Sequence, residues 1–332
     1  MSTQQKLSWN ALDLDLKSEA DRIGGVLRDA TARVLRKRGL VVAISGGIDS
    51  SCSLGLAVRA LGPERVFAII LPERDSSDDS AVRGKLLADH LKVQYRVHDI
   101  APALEAIGCY QWRDEAVQRA LPGYGPGWRF KIVLTGGLEG RINYYKIVAQ
   151  SPDGKSYDER LNLQDYLQIV AATNFKQRIR KAIEYFHADR LNYAVLGTPN
   201  RLEYDQGFFV KNGDGAADVK PIAHLYKSQV YGMARHLRLP DRLCEAQPTT
   251  DTYSLDQGQD EFYFALPYRA MDLALWAINH NVSPVDLARV LDIGSDRAEA
   301  IYADIRNKRR TTRYQHLAPL LIENIEETGP LP

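Results

Sequence analysis

The sequence predicts an α/β fold: a doubly wound, mostly parallel sheet with helices on both faces and an inserted hairpin or lid. Three stretches carry that prediction. Val41-Val42-Ala43-Ile44 is a β-prone run that enters Ser45-Gly46-Gly47, after which Cys52 to Leu61 has helical spacing. Val66-Phe67-Ala68-Ile69-Ile70-Leu71 is almost fully apolar, as suits a parallel strand buried on both faces. Tyr193-Ala194-Val195-Leu196 is a further apolar run and ends in Gly197-Thr198. Strands alternating with helices imply right-handed crossovers, and ligands of such sheets sit at the carboxyl ends of the strands.

Taken in order, the chain reads as one domain over 1–332, in four parts. Within 1–40, residues 1–6 are polar, and apolar residues at helical spacing from Leu7 to Leu40 predict one long amphipathic helix. The 41–107 half holds the first strand and its glycine turn, a helix over 49–62, and the second strand. A helix capped by Ser76 or Ser77 then runs to about Leu91, and a third strand covers Val93 to Ile100. The rhythm breaks over 108–163, an expected insertion. There Pro122 to Gly127 is turn-rich, Arg129 to Thr135 and Arg141 to Gln150 alternate like strands around Gly136-Gly137, and Ser151 to Gly154 turns again. The 164–332 part contains most of a helix from Leu161 to His187, the fourth strand, a Gly- and Asp-rich loop over 206–220, a helix over 221–238 and a polar loop over 248–260. Helices follow, the clearest with Ser283 as N-cap and Pro284 in its first turn.

Composition narrows the function classes. The 332 residues include 43 basic and 42 acidic side chains, a net charge of +1, so nothing pulls the whole chain toward nucleic acid or a membrane surface. Cys52, Cys109 and Cys244 are far apart, form no C-x-x-C pair and suit a reducing compartment. No apolar run approaches the ~18 residues of a membrane span. The expectation is a cytoplasmic protein acting on small molecules.

Ser45-Gly46-Gly47-Ile48-Asp49-Ser50-Ser51, between a buried-type strand and a helix, reads as a phosphate-binding loop. Two glycines let backbone N–H groups approach an anion, and the new helix offers unpaired N–H groups and the positive end of its dipole. Ser45, Ser50 and Ser51 add donors. A carboxylate beside phosphates repels them unless a divalent cation lies between, so Asp49 reads as a magnesium ligand. Glu203, in Gly197-Thr198-Pro199-Asn200-Arg201-Leu202-Glu203 at the same sheet edge, is the carboxylate to pair with it. The Walker A lysine and the G-x-G-x-x-G fingerprint are both missing.

The SGGxDS pattern resembles the PP-loop of the ATP pyrophosphatases, which cleave ATP between the α and β phosphates. A narrower resemblance rests on several motifs in one order. Asn174-Phe175-Lys176-Gln177-Arg178-Ile179-Arg180, GTPNRLE at 197–203, GFFVKNGDGAAD at 207–218, Lys227 after His224-Leu225-Tyr226, and Pro248-Thr249-Thr250-Asp251 are similar to the successive motifs of ammonia-dependent NAD synthetase. That resemblance implies a Rossmann-like fold of the adenine nucleotide alpha hydrolase type. It also implies amidation of deamido-NAD by ammonia at the expense of ATP, through an acyl-adenylate, yielding NAD, AMP and pyrophosphate. It places Ser45, Gly46, Gly47, Asp49, Ser50, Ser51, Thr198, Lys227 and Thr249 at ATP. Arg178, Lys211, Asp214, Asp218 and Lys308 fall at deamido-NAD, and Asp49 and Glu203 at magnesium. Asp49, Lys227 and Asp251 are the catalytic candidates, the last near the ammonia path. The family forms homodimers, and the 40 residues before the first strand leave free ammonia as the expected donor, a separate glutaminase being the alternative source. Where the family has a His-Lys pair this chain has Asn307-Lys308, and residues 108–163 have no counterpart in the compact synthetases. A ligase adenylating and amidating a different carboxylic acid stays open as the alternative.

Overall fold

The structure is a computed structural model that describes residues 7–135, 144–246, 253–255, 266–323 and 325. Its central sheet holds β1 (Leu40–Ala43), β2 (Val66–Ile70), β3 (Gln94–Val97) and β7 (Ala194–Val195), in the order β3-β2-β1-β7. All pairings in it are parallel, with Leu40 beside Val66 on one side and beside Ala194 on the other. Because the chain builds outward from β1 to β3 and then returns to β7 on the other side of β1, the crevice opens between the carboxyl ends of β1 and β7. The glycine loop follows β1 and Thr198 follows β7.

Side chains of β1, β2 and β7 alternate between two cores, which explains their unbroken apolar sequences, while the edge strand β3 is largely exposed. Leu40, Val42, Ala68, Ile70, Ala194 and Leu196 pack with α1 (Leu16–Asp29), α2 (Ile48–Leu61), α3 (Asp78–His90) and α8 (Lys227–His236). Val41, Phe67, Ile69 and Val195 face the other way, against α4 (Ala101–Ile107), α5 (Cys109–Ala120) and α6 (Leu163–Leu191). A third core joins Leu7 and Leu12 to α7 (Arg201–Gln206), α10 (Tyr268–Asn279), α11 (Pro284–Leu291) and α12 (Ser295–Thr312), and α9 spans Asp241–Cys244. Ser77 caps α3 and Ser283 caps α11 with Pro284 in its first turn, as the sequence predicts.

Several elements differ from expectation. The helix expected over Leu7 to Leu40 is broken: a 3-10 turn spans Trp9–Leu12, and the helix restarts at Leu16 because the Asp15 side chain accepts from Ser18 N, a competing cap. It closes in a π-turn over Ala30–Val34. The expected helix over 221–238 covers only Lys227–His236. The start of the 108–163 insertion is the helix α5, set off from α4 by Gly108 at φ +90°. The remainder is an antiparallel sheet of β4 (Arg129–Thr135), β5 (Tyr144–Gln150) and a further strand, β6 (Ser156–Arg160). Its turn at Gly136-Gly137 lies outside the described residues.

This inserted sheet has its own core, in which Val117, Phe130, Ile132, Ile147 and Ile169 surround Tyr253. Phe130 N donates to Ser254 Oγ at 2.9 Å and Leu255 N donates to Phe130 O at 3.1 Å, so β4 is fastened to the 253–255 segment.

The loop from β2 to α3 is held by a buried charge cluster. Lys176 of α6 donates to Glu73 Oε1 at 3.0 Å and to Asp75, and Arg113 of α5 also donates to Asp75. Tyr110 donates its hydroxyl to Glu73 Oε2 at 2.8 Å, while Arg180 reaches Leu71 O at 3.2 Å. Burial opposes the charge of Asp75, but Lys176 and Arg113 hold its carboxyl below the ordinary range. Removing one partner of such a cluster leaves uncompensated buried charge, so Lys176→Met is expected to destabilise the fold by about 3–5 kcal/mol. Urea unfolding measures this; a loss below about 1 kcal/mol, the range of an exposed pair, would show that the cluster is solvated instead.

Candidate active site

The glycine loop is shaped by its own hydroxyls. Ser50 Oγ donates to Gly47 O at 3.0 Å and lies 3.2 Å from Ser45 Oγ, and Ser51 Oγ donates to Gly47 O at 2.8 Å. Gly46 has φ +75°, and a Cβ there would stand 2.6 Å from Ser80 O, so both its conformation and its neighbour demand glycine. Gly47 is the N-cap residue of α2 and supplies no side-chain cap to the first-turn N–H groups.

Asp49, in the first turn of α2, is where the two halves of the chain meet. Its Oδ1 accepts from Asn200 Nδ2 at 3.0 Å and its Oδ2 accepts from Lys227 Nζ. Lys227 is 1% exposed. Burial disfavours its charge, yet Asp49 and Glu203 beside it hold the ammonium above its ordinary range. Asn200 is also the N-cap of α7, where its side chain accepts from Leu202 N and Glu203 N, and Glu203 Oε2 accepts from Asn200 N at 3.1 Å. The GTPNRLE segment is therefore a capping box that delivers Asn200 to one carboxylate and Glu203 to the same corner. Burial, then the charge of Asp49, pushes the Glu203 carboxyl up to about 8. Two carboxylates that repel each other beside one lysine are oxygen donors of the kind that could hold a hard cation. Among the described residues no group of three or more His, Cys, Asp or Glu side chains forms a metal cluster.

Two contributors were not singled out from the sequence. Asn200 lies within a quoted motif, but its bridge to Asp49 spans 151 positions of chain. Asp272, in the apolar-looking helix α10, accepts from Lys227 N at 3.1 Å and Ser228 N at 2.7 Å and so fixes the start of α8. Its only sequence signal is an acid on an otherwise apolar helix face.

The deamido-NAD candidates gather less tightly. Arg178 Nε donates to Lys211 O at 3.2 Å, and Lys211 Nζ donates to Tyr314 O at 3.0 Å and Leu317 O at 2.9 Å. Asp214 is used in its own loop, accepting from Val210 N at 2.8 Å, and burial raises its carboxyl above the ordinary range. Asp218 accepts from Val195 N at 2.7 Å and from Tyr185 OH at 3.4 Å, which ties the loop to β7. Lys308 on α12 pairs with Asp304 at 2.7 Å, and burial lowers its pKa. Thr198 is half-buried just past β7. Thr249 and Asp251 lie outside the described residues.

A cleft of about 1040 Å³ is lined by Arg74, Ser77, Arg83, Tyr124, Trp128 and Tyr253 among others, and meets the glycine loop through Arg83, whose Cβ lies against Gly46.

Comparison with known proteins agrees with this architecture. The family model described as NAD synthase matches residues 21–121 and 141–315, leaving out much of the start of the inserted sheet. The NH(3)-dependent NAD(+) synthetase of Rhizobium meliloti (strain 1021) is 55% identical over 327 residues, 98% of each chain. That of Rhizobium rhizogenes (strain K84 / ATCC BAA-868) is 50% identical over 326 residues, again 98% of each. Among solved structures, the NMN synthetase of Francisella tularensis aligns with a TM-score of 0.64 at 21% identity, covering 93% of this chain and 99% of that one. The Campylobacter jejuni NH3-dependent NAD synthetase gives 0.62 at 21% identity, covering 93% and 100%. These last two likenesses establish the fold. With the family model and both Rhizobium sequences in register along nearly its whole length, the chain belongs to the NAD synthase family.

Proposed function

We propose that this chain is an ammonia-dependent ligase that amidates deamido-NAD to NAD, with ATP converted to AMP and pyrophosphate. Beyond family membership, the observation that carries the reading is the meeting of Asp49, Asn200, Glu203 and Lys227 at the mouth of the glycine loop.

A carboxylate is a poor acylating agent. In the first step a carboxylate oxygen of the substrate attacks the α-phosphorus of ATP, the bond to the bridging oxygen breaks, and pyrophosphate leaves. Negative charge builds on the phosphate oxygens, and the α2 N–H groups with the Lys227 ammonium stabilise it. Magnesium, when bound, would be held by Asp49 and Glu203 and would neutralise further phosphate charge. Ammonia then attacks the acyl carbon, loses a proton, and expels AMP. No protein nucleophile takes part.

Thr198 completes the ATP contacts in this reading. Arg178, Lys211, Asp218 and Lys308 contact deamido-NAD, and Asp214 shapes the loop that carries Lys211. The assembly is a homodimer, testable by light scattering. No described helix is long and apolar enough to cross a membrane.

Purified protein given deamido-NAD, ATP, magnesium and ammonium is expected to form NAD and AMP in equal amounts; AMP formation with some other acid but none with deamido-NAD would replace this reading by the related one. Asp49→Ala and Lys227→Ala should each lower kcat by about 10²–10³-fold or more, the scale of losing one preorganised electrostatic group. Asn200→Ala should lower activity and cost about 1 kcal/mol of stability through the lost cap. For Glu203→Gln, the magnesium needed for half-maximal rate should rise by about tenfold or more, the effect expected when one of few charged ligands is lost. An unchanged magnesium requirement would remove Glu203 from the metal site.

A further inference from the structure

Resting on the ATP reading above, we propose that Arg83 is an additional phosphate-binding residue, supplying a second cation to the triphosphate from the α3 side of the glycine loop. Three observations converge on it. First, the second turn of α3 is pressed against the glycine loop: a Cβ on Gly46 would stand 2.6 Å from Ser80 O and 2.9 Å from Arg83 Cβ. The Arg83 side chain therefore starts in contact with the segment that cradles the phosphates. Second, the side chain runs into the 1040 Å³ cleft and lines it together with Arg74 and Ser77. Third, its guanidinium is only partly engaged. One terminal nitrogen pairs with Asp79 at 3.2 Å, while Nε is buried without a hydrogen-bond partner among the described residues.

A buried N–H donor without an acceptor costs free energy that a native fold seldom concedes without a use. A guanidinium presents several donors in a planar fork that matches two phosphate oxygens, and Asp79 orients it without consuming the Nε edge. The side chain is only 14% exposed, so its charge acts in a poorly solvated setting where attraction to phosphate is strong. Lys227 alone is half-neutralised by Asp49 before nucleotide arrives, since the two are already paired. A triphosphate carrying several negative charges has in Arg83 a partly engaged guanidinium against the same loop. The chemistry selects a phosphate of the nucleotide, or the pyrophosphate that departs from it; deamido-NAD, which this reading places at the 207–218 loop, is not touched.

The test uses the full chain with Arg83→Ala and Arg83→Lys. For R83A, KM for ATP is expected to rise roughly 10- to 100-fold, the worth of one hydrogen bond to a charged group, with KM for deamido-NAD and the thermal midpoint unchanged. R83K should fall between, keeping the charge and losing the fork. Methylguanidinium at low millimolar concentration should restore part of the R83A rate, which a purely structural arginine would not permit. Pyrophosphate as a competitive inhibitor against ATP separates the two phosphate sources: weaker inhibition of R83A assigns the contact to the departing group, and unchanged inhibition assigns it to the α-phosphate. Wild-type KM for ATP in R83A would overturn the proposal, as would equal losses for every substrate without methylguanidinium rescue. Should R83A fold poorly, R83K and Arg83→Gln carry the same comparison. If the wild-type protein itself forms no AMP from ATP and deamido-NAD, the failure belongs to the reaction proposed above and not to Arg83.

Discussion

The ion pair between Asp49 and Lys227 is the contact on which the rest of the structure depends. The two residues are 178 positions apart, one at the start of α2 and the other at the start of α8. A pair this well buried offsets its desolvation only when further polar groups satisfy it. Asn200 and the neighbouring Glu203 do so from the β7 side, and Asp272 fixes the backbone under Lys227 from α10. Two separate stretches of the second half thus meet at one carboxylate of the first, and a third supports the lysine from behind. The topology makes this possible, because β7 returns beside β1 and brings both carboxyl ends to one crevice.

The same architecture explains how the glycine loop is held in place. Gly46 has no room for a side chain because α3 presses on it, and the loop preceding α3 is in turn pinned by Lys176 and Arg180 from α6. The motif from Asn174 to Arg180 therefore has two duties. Arg178 reaches toward the 207–218 loop, whereas Lys176 and Arg180, at alternate positions, hold the opposite wall of the crevice. Apolar packing alone could fill such a space, but it would not fix where charged groups point.

What could be read from the sequence follows from how local each determinant is. β1, β2 and β7 were legible because both faces are buried, so their residues form unbroken apolar runs, whereas the edge strand β3 is largely exposed and carries Gln94 and Arg96. The glycine loop was legible because its shape is dictated within seven residues. The long first helix was misread: Asp15 offers a cap that periodicity does not register. Helix α5 escaped notice since its inward face carries Tyr110 and Arg113, and β6 did so because all five of its residues are exposed and show no alternation. Within the site, Asp49, Glu203 and Lys227 were named from motif chemistry, but the bridging role of Asn200 and the support from Asp272 arise only when distant segments meet.

One further consequence lies in the length of α6. Its 29 residues, rising 1.5 Å each, span roughly 44 Å. Near its first turn Tyr166 stacks on Tyr145 of the inserted sheet, its middle bears Lys176 and Arg180, and toward its end His187 rests against Phe67 of the central sheet. An element tied at both ends acts as a strut: it sets the separation of the inserted sheet from the central sheet and carries Lys176 and Arg180 at a fixed position between them.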